Sequence, residues 1–272
     1  MGPQGVKAHG NALDVCVLCF EVACLAFSLA LAPGCGGGVK EGLSAQQVLA
    51  RSVEALLALK SYHDAGTSSL TVAGGPNLNN KAVFDTWLAV NPQGALDGHM
   101  VVKSPSYSYE TYTSNGNQYT RIKGGEWTRV DKTGQPGSGM VSAGARRIIA
   151  QFADLAEDVR FTGETGRTYT VSLTMGRKYY EGAAAISGAG VANEADDKDT
   201  RMTLTVDKKT MRIVKVTMND AKAATGKTPA VKIVTVGSYS GFDQPVDIEP
   251  PPEARAACQV SESEAPPTLQ PQ

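Results

Sequence analysis

The residues with the clearest chemical potential are cysteines, and four of the five lie in the first 35 residues: Cys16, Cys19, Cys24 and Cys35. Cys16 and Cys19 have the CxxC spacing of a zinc or redox site, but no second ligand pair follows and the surrounding residues are apolar. No cysteine lies between Cys35 and Cys258. We therefore predict no metal and no cofactor, and a folded region that needs no disulfide.

Cys35 follows a segment that is typical of export. Residues 22–34, VACLAFSLALAPG, carry no charge, have the length of the apolar part of a signal peptide and are too short to cross a bilayer. With Cys35 and the glycines after it, the segment resembles a bacterial lipoprotein signal, in which the cysteine is acylated and becomes the first residue of the mature chain. Plain secretion with cleavage nearby and an uncleaved anchor are the alternatives.

The resemblance to a lipoprotein signal divides the N-terminal region into two parts. Residues 1–34 are predicted to be the signal peptide, and residues 35–43 a glycine-rich flexible tether. Several acyl chains on Cys35 would hold the protein at a membrane that one chain binds only transiently. We predict an extracytoplasmic protein that is anchored to the membrane by its lipidated N-terminal cysteine.

Catalytic side chains show no pattern that predicts an enzyme. His9 lies in the leader, His99 falls on the polar side of a predicted strand, and His63 stands alone at a junction between a helix and a strand. No spacing nominates a serine, histidine and acid set. We therefore predict no catalytic residues and no enzymatic activity.

Two further binding chemistries are disfavoured. The segment ATGKT at 224–228 resembles a phosphate-binding loop, but Ala221 takes the place of its first glycine and Pro229 follows where a helix should begin. The formal net charge of −1 provides no strongly basic surface for nucleic acid. We predict no nucleic-acid partner.

The first element that could position a site is an amphipathic helix. Ser44 is a suitable N-cap, and apolar residues recur at three- and four-residue steps over 45–60. A second helix is predicted over 143–158, where apolar residues from Ile148 to Val159 have the same spacing. Both helices are expected to cover a sheet.

Strands make up most of the remaining chain. LDGHMVVK (96–103) and TYTVSLTM (168–175) alternate in hydrophobicity, which predicts half-buried antiparallel strands. The segment 201–218 is predicted to be a hairpin that turns near DKKT, with Val214, Val216 and Met218 facing the core on its second strand. A further strand is predicted at 231–236. Weaker candidates bring the count to about ten: 62–72, 82–90, 106–113, 117–122 and 126–130. Residues 182–200 are predicted to be a loop, and 249–272 a disordered proline-rich tail.

The order of these elements resembles that of a known superfamily. The sequence segments that carry the resemblance are LKSYHDAGTSSLTV after the first helix, NGNQYTRIKGGEWTRV among the strands, the TLTVDKKTMRIVKVTM hairpin and the closing FDQPVDIEPP. Together with the lipoprotein leader they look like the LolA/LolB-like superfamily, most similar to its LppX/LprG-type lipid-binding lipoproteins. The resemblance implies an α+β domain over 44–248: a strongly curved antiparallel half-barrel of about ten strands, with helices covering its concave face.

The resemblance also implies an apolar gap between helices and sheet that takes acyl chains. Met100, Val102, Trp127, Phe152 and Leu204 are the predicted ligand-lining residues, and each is equally consistent with an ordinary core position. A stretch rich in aromatic residues, 107–127, is predicted to form either the mouth of this cavity or a ladder of cross-strand pairs.

Two functions from different classes follow. The first is a monomeric carrier that binds an amphipathic lipid or an acylated partner in the half-barrel while Cys35 keeps it near the membrane. The second is a sensor or scaffold lipoprotein that binds a protein or a cell-wall component without lipid.

Overall fold

A computed structural model describes residues 42–73, 80–92, 96–105, 107–131, 153–176, 198–222, 230–257 and 259. Cys35, Phe152 and most of the second predicted helix lie outside these residues. The helices are α1 (Ala45–Leu57) and α2 (Pro252–Arg255). The strands are β1 (Ser61–Val72), β2 (Asn80–Val90), β3 (Leu96–Lys103), β4 (Ser108–Ser114), β5 (Asn117–Ile122), β6 (Trp127–Asp131), β7 (Ala156–Glu164), β8 (Thr168–Met175), β9 (Lys198–Asp207), β10 (Ile213–Lys222) and β11 (Val231–Ser240).

The strands of the described residues form one open antiparallel sheet of 11 strands, in the order β6-β5-β4-β3-β2-β1-β11-β10-β9-β8-β7. Strands β1 to β6 and strands β7 to β11 are two meanders, and the pairing of β1 with β11 joins them at the centre of the sheet. Strands β6 and β7 are its two edges. The predicted antiparallel sheet is confirmed, with one strand more than the predicted ten.

Helix α1 begins where its cap predicts. The Ser44 hydroxyl accepts a hydrogen bond from the Gln47 backbone N–H at 3.2 Å, and the Gln47 side chain accepts one from the Ser44 N–H at 2.9 Å. This capping box satisfies two N–H groups that the first turn would otherwise leave without partners. The apolar stripe of α1, which includes Val48, Leu49 and Val53, is buried against the sheet.

Strand β7 replaces the end of the second predicted helix. Residues 153–155 are helical, but Ala156 begins a strand, so the prediction is wrong for 156–158. The pairing of β7 with β8 shifts register between Glu157 and Arg160, and Asp158 has φ +50°. This bulge brings Ala156 and Val159, three residues apart, onto the main core together. The bulged strand therefore has two core-facing residues at a spacing that is typical of a helix.

The predicted hairpin of β9 and β10 turns at Asp207, whose Oδ1 accepts hydrogen bonds from the backbone N–H groups of Lys209 and Thr210. A register shift follows at the start of β10, between Ile213 and Lys215. Ile213 is buried in consequence, whereas Val214, predicted to face the core, is only half-buried.

The C-terminal segment extends the folded part beyond residue 248, where the predicted disordered tail begins. Helix α2 packs against β5 and β6, and its Ala254 is fully buried against Tyr119 and Trp127. Residues 260–272 lie outside the described residues. In the described part, no helix is long and apolar enough to span a membrane.

Candidate functional site

The strand register sorts the side chains of the sheet onto two faces. On one face Tyr62 of β1 lies opposite Leu88 of β2, and Leu204 of β9 lies between Val171 of β8 and Val216 of β10. All five belong to the cluster that includes α1, so we call this side the α1 face. Successive residues of a strand point to opposite sides, and the other side is called the far face.

The main core lies between α1 and the sheet. It joins the apolar stripe of α1 to residues of β1, β2, β3, β8, β9, β10 and β11. Leu49 of α1 is completely buried, as are Val171 of β8 and Leu204 of β9. These side chains are held by one another and form ordinary packed interior.

A second apolar cluster occupies the same face but is separate from the main core. Its buried members are Ala82, Phe84, Val102 and Tyr109, with Met100, Tyr107 and Ile122 packed against them. We call it the distal cluster. Its members come from β2, β3, β4, β5 and the residue preceding β4, and none comes from α1. The α1 face therefore carries two apolar regions, of which α1 packs against one.

A row of polar side chains crosses the α1 face between the two apolar regions. Tyr239 of β11, Asp64 of β1 and Thr86 of β2 are consecutive partners in the register. On β1, Asp64 lies between Tyr62 of the main core and Gly66; on β2, Thr86 lies between Leu88 of the main core and Phe84 of the distal cluster. We call Tyr239, Asp64 and Thr86 the polar row.

Asp64 is the most unusual member of this row, because only 2% of it is exposed. Burial raises the pKa of its carboxyl from 3.8 to about 7, because low-dielectric surroundings disfavour the charged form. A hydrogen bond from the Tyr239 hydroxyl opposes this rise in pKa, and the negative charge of Asp85 adds to it. The carboxyl can thus be either neutral or charged near physiological pH.

Two oxygens of the polar row have no hydrogen-bond partner: Asp64 Oδ1 and Thr86 Oγ1, both buried. Buried polar atoms are nearly always paired, and each exception calls for a physical explanation. Leaving such an atom unpaired costs about 1–3 kcal/mol. The described residues contain two further unpaired buried atoms, Trp127 Nε1 and Arg129 Nε, both on the far face of β6. On the α1 face, Asp64 and Thr86 are the candidate partners for a hydrogen-bonding group.

Glycines make room for the side chains around Asp64. A methyl group on Gly66 would lie 2.5 Å from Phe84 Cζ and 2.0 Å from the Val236 carbonyl oxygen. A methyl group on Gly237 would lie 2.8 Å from Asp64 Oδ1. The Phe84 ring and the Asp64 carboxyl therefore lie against bare backbone, an approach that only glycine permits.

The structure separates the predicted ligand-lining residues. Met100 and Val102 lie together in the distal cluster, next to the polar row. Leu204 is fully buried in the main core. Trp127 lies on the far face, where it packs against Tyr119 and Ala254, so one cavity on the α1 face cannot include it.

The predicted aromatic stretch is likewise divided between the faces. On the far face His63 stacks on Trp87 with ring centroids 4.5 Å apart, and His99 stacks on Tyr112 at 4.1 Å. Tyr112 also approaches Trp127, at 5.8 Å. Tyr112 and Trp127 of the predicted stretch 107–127 thus belong to a ladder of ring contacts, whose other members, His63, Trp87 and His99, lie outside that stretch. Tyr107 and Tyr109 belong instead to the distal cluster on the α1 face.

Ion pairs connect this ladder. The Glu110 carboxylate accepts hydrogen bonds from His99 Nε2 at 3.0 Å and from Arg121 at 2.6 Å. These two partners hold the pKa of Glu110 below its usual value, although partial burial acts in the opposite direction. Arg121 also lies over the Trp127 ring, 4.8 Å from its centre. Glu110, His99 and Arg121 thereby hold one another on the far face.

A family profile described as "Family of unknown function (DUF6612)" matches residues 44–259. The chain belongs to this family. The matched region begins at the N-cap of α1 and ends with the C-terminal segment beside β6, so the DUF6612 domain coincides with the folded unit. No curated protein matches the sequence.

Solved structures with similar chain paths are known from several bacteria. One is a chain of the Pseudomonas aeruginosa MucA/MucB complex, with 16% identity, 77% of this chain and 62% of that chain covered, and a TM-score of 0.38. Another is the LolA superfamily protein NE2245 from Nitrosomonas europaea, with 9% identity, 76% and 96% covered, and a TM-score of 0.30. A third is a DUF1329 family protein from Desulfovibrio piger, with 12% identity, 75% and 93% covered, and a TM-score of 0.28.

The predicted LolA/LolB-like resemblance agrees with the presence of a LolA superfamily protein among these structures. The finer LppX/LprG likeness stays a prediction. The DUF6612 chain spans about three fifths of the length of the MucA/MucB chain that it matches. Overlaps with TM-scores of 0.28–0.38 are too loose to transfer a ligand or a partner.

One set of side chains in the DUF6612 domain has the residue types of a hydrolase triad, and sequence spacing did not predict it. On the far face, His63 Nδ1 lies 3.3 Å from Ser240 Oγ, and His63 Nε2 lies 3.0 Å from Asp85 Oδ2. The Asp85 side chain is 56% exposed, and the three residues lie on adjacent strands whose backbone N–H groups serve the sheet. Acyl transfer needs free donors for an oxyanion and a buried, oriented acid. We interpret the set as cross-strand polar contacts.

The described residues of the DUF6612 domain contain no cluster of three or more histidine, cysteine, aspartate or glutamate side chains that could hold a metal. The candidate site on the α1 face consists of Asp64, Thr86 and the distal cluster. Sequence reasoning missed Asp64 and Thr86, although a signal was present. Each is a polar residue at an inward-facing position of its strand: Thr86 lies between Phe84 and Leu88, and Asp64 follows Tyr62 by two positions.

Proposed function

We propose that this protein is a membrane-anchored exported lipoprotein that binds or carries an amphipathic lipid, or an acylated partner, on the α1 face. The observation that carries the proposal is that an apolar region and a polar region are neighbours on the α1 face. The distal cluster offers apolar side chains, and beside it Asp64 and Thr86 hold buried oxygens without partners. A ligand with an apolar chain and a polar group would fit both regions.

The shape of the sheet is part of the proposal. We infer that β1 to β11 curve into a half-barrel with the α1 face on the inside, so that helices cover the concave side. Register shifts in β7 and β10 and close-packed glycines in β1 and β11 support the inference, because bulges and glycines are the usual means of bending a sheet.

The anchor completes the proposed function. Cys35 precedes Ser44, the N-cap of α1, by nine residues. Acylation of Cys35 would keep the domain at the membrane and raise the local concentration of lipid around the α1 face. A carrier that exchanges lipid with that membrane benefits from such proximity.

Two neighbouring valines of β3 provide a matched test, because Val102 lies in the distal cluster and Val101 points to the far face. The full-length protein is titrated with N-phenyl-1-naphthylamine, an uncharged dye whose emission rises in apolar surroundings. We expect saturable binding that Val102→Thr weakens about tenfold, since the added hydroxyl must be buried against the ligand. Val101→Thr should leave the affinity unchanged. Absence of dye uptake, or equal effects of the two variants, would favour the sensor or scaffold function instead.

A further inference from the structure

The polar row contains an unused pair of hydrogen-bonding groups. Asp64 and Thr86 are cross-strand partners on β1 and β2, and only 2% and 4% of them, respectively, are exposed. Asp64 Oδ1 and Thr86 Oγ1 both lack a hydrogen-bond partner. The Asp64 carboxyl has a bond from Tyr239, so one oxygen of the same group is satisfied while the other is not. The two unpaired oxygens belong to cross-strand partners, and Asp64 Oδ1 also lies beside the Gly237 backbone of β11, where a methyl group would be 2.8 Å from it.

The position of the pair fixes the direction in which a ligand would run. Thr86 is followed on its face by Phe84, and the Phe84 ring lies over Gly66, the next residue after Asp64 on the same face of β1. Both strands therefore lead from the pair of oxygens into the distal cluster. A molecule held at Asp64 and Thr86 could lay its apolar chain along Phe84 and Val102.

The charge around the pair determines which polar group can enter. The groups that face Asp64 from the neighbouring strands are the Tyr239 and Thr86 hydroxyls, and Asp85 adds negative charge from the opposite side of β2. None of these neighbours is basic. A carboxylate or phosphate would bring a second negative charge into low-dielectric surroundings without a compensating cation, which is unfavourable.

A hydroxyl group satisfies both oxygens in either protonation state of Asp64. When Asp64 is charged, a ligand hydroxyl donates to Oδ1 and accepts from the Thr86 O–H. When Asp64 is neutral, its O–H donates to the ligand oxygen, and the ligand hydroxyl donates to Thr86 Oγ1. No net charge has to be buried with the ligand. An uncharged alcohol therefore matches the pair better than an anion does.

We propose that Asp64 and Thr86 bind a hydroxyl group at the end of the ligand's apolar chain, and that the α1 face thereby selects uncharged amphipathic alcohols over anionic lipids. This selectivity rests on the proposed lipid-binding function and specifies the chemistry of its ligand. Thr86 and Asp64 are the specificity-determining residues, and the distal cluster supplies affinity for the chain.

The test compares three ligands with the same chain and different ends: decan-1-ol, decanoate and decylamine. Each displaces N-phenyl-1-naphthylamine from the full-length protein at pH 6 and pH 8. Decan-1-ol is expected to displace the dye at concentrations about tenfold lower than decanoate at both pH values, corresponding to one buried hydrogen bond. Tighter binding of decylamine than of decan-1-ol would overturn the proposal in favour of an ion pair with Asp64.

Variants of the pair sharpen the comparison. Thr86→Val should reduce the preference for decan-1-ol over decanoate about tenfold. Asp64→Asn, which keeps a donor and an acceptor in the same shape, should preserve decan-1-ol affinity within about threefold. Thr235→Val is the matched control: Thr235 is buried on the same face of β11, but its hydroxyl is already bonded to Ser68 at 3.0 Å. It should leave the preference unchanged.

The outcomes distinguish the two levels of the proposal. If the dye binds and all three decyl compounds displace it equally, with Thr86→Val no different from Thr235→Val, the hydroxyl selectivity is wrong while the lipid-binding function stands. If neither the dye nor any decyl compound binds, both are wrong. Should Asp64→Asn fail to fold, the comparison of Thr86→Val with Thr235→Val decides alone.

Discussion

Asp64 and Thr86 lie directly opposite each other on β1 and β2, and each contributes a buried oxygen that no group in the described part of the chain satisfies. Local rules of folding favour apolar residues at both positions, because their neighbours on the same face, Tyr62 and Phe84, are core residues. Proteins break such rules mainly at functional sites. The pair thus connects the architecture of the sheet with the proposed ligand.

The buried carboxyl predicts an unusual dependence of stability on pH. The pKa of Asp64 is about 7 in the folded protein and 3.8 as the reference value, so between these pH values the native state holds a proton that the unfolded state releases. The stabilising contribution of protonated Asp64 is therefore fully present at low pH and is lost as the pH rises to about 7. The total change in the free energy of unfolding from this group is about 4 kcal/mol.

Asp64→Asn removes that dependence. The free energy of unfolding of the ligand-free variant is measured by urea titration from pH 4 to pH 8. Relative to the wild-type value, it should increase steadily as the pH rises. Replacement of the exposed Asp247 by asparagine serves as the control and should follow the wild-type profile. A constant difference between Asp64→Asn and wild type across this range would show that Asp64 does not carry the shifted pKa.

Thr86→Val and Thr235→Val should change stability in opposite directions. In the ligand-free protein, Thr86→Val removes an unpaired buried hydroxyl and should raise the free energy of unfolding by about 1–2 kcal/mol. Thr235→Val breaks the bond to Ser68 and should lower it by about 1 kcal/mol. Destabilisation by Thr86→Val in thermal or urea unfolding would mean that a bound water already satisfies the hydroxyl.

A variant of Leu204 tests whether the main core and the ligand site are separate regions. Leu204→Ala opens a cavity in the main core and should cost about 2–5 kcal/mol of stability. The dye affinity of the folded fraction should not change, because Leu204 belongs to the main core and not to the distal cluster. Urea unfolding and dye titration of the same preparation measure both. Loss of dye binding in a folded variant would return Leu204 to the ligand-lining residues predicted from sequence.

Cys35 provides the test of anchoring. Cys35→Ser removes the thiol that is predicted to take the acyl chains, so the protein should leave the membrane fraction for the periplasm or the medium. Immunoblotting of fractionated cells measures the distribution, and Ser44→Ala, which alters only the helix cap, is the control. Retention of Cys35→Ser in the membrane would indicate an uncleaved leader.

Most of the sheet could be predicted because its strands alternate in hydrophobicity. The pattern of 168–175 coincides with β8, and every second residue of that strand is buried. Ser44 and the apolar spacing after it were sufficient for the start of α1. Strand β7 escaped prediction because its bulge at Asp158 brings Ala156 and Val159 to the main core three residues apart, which is a helical spacing.

The site was harder to predict, because the register between strands decides which side chains of different strands share a face of the sheet. Alternation shows that Met100 and Val102 share a face within β3, but it cannot show that Trp127 of β6 points to the opposite face. Asp64 stands at an inward position of β1, where a charged residue is not expected. Its surroundings can be described only once the strand register places Thr86 and Tyr239 beside it.

Native mass spectrometry of the full-length protein, purified from the cells that make it, tests the central claim most directly. We predict a reproducible added mass that organic solvent removes, in addition to any covalent modification at Cys35 that solvent leaves in place. The added mass should be lost or reduced in Val102→Thr and retained in Val101→Thr. A mass equal to that of the modified polypeptide alone, in a protein that also takes up no dye, would contradict a lipid-binding function.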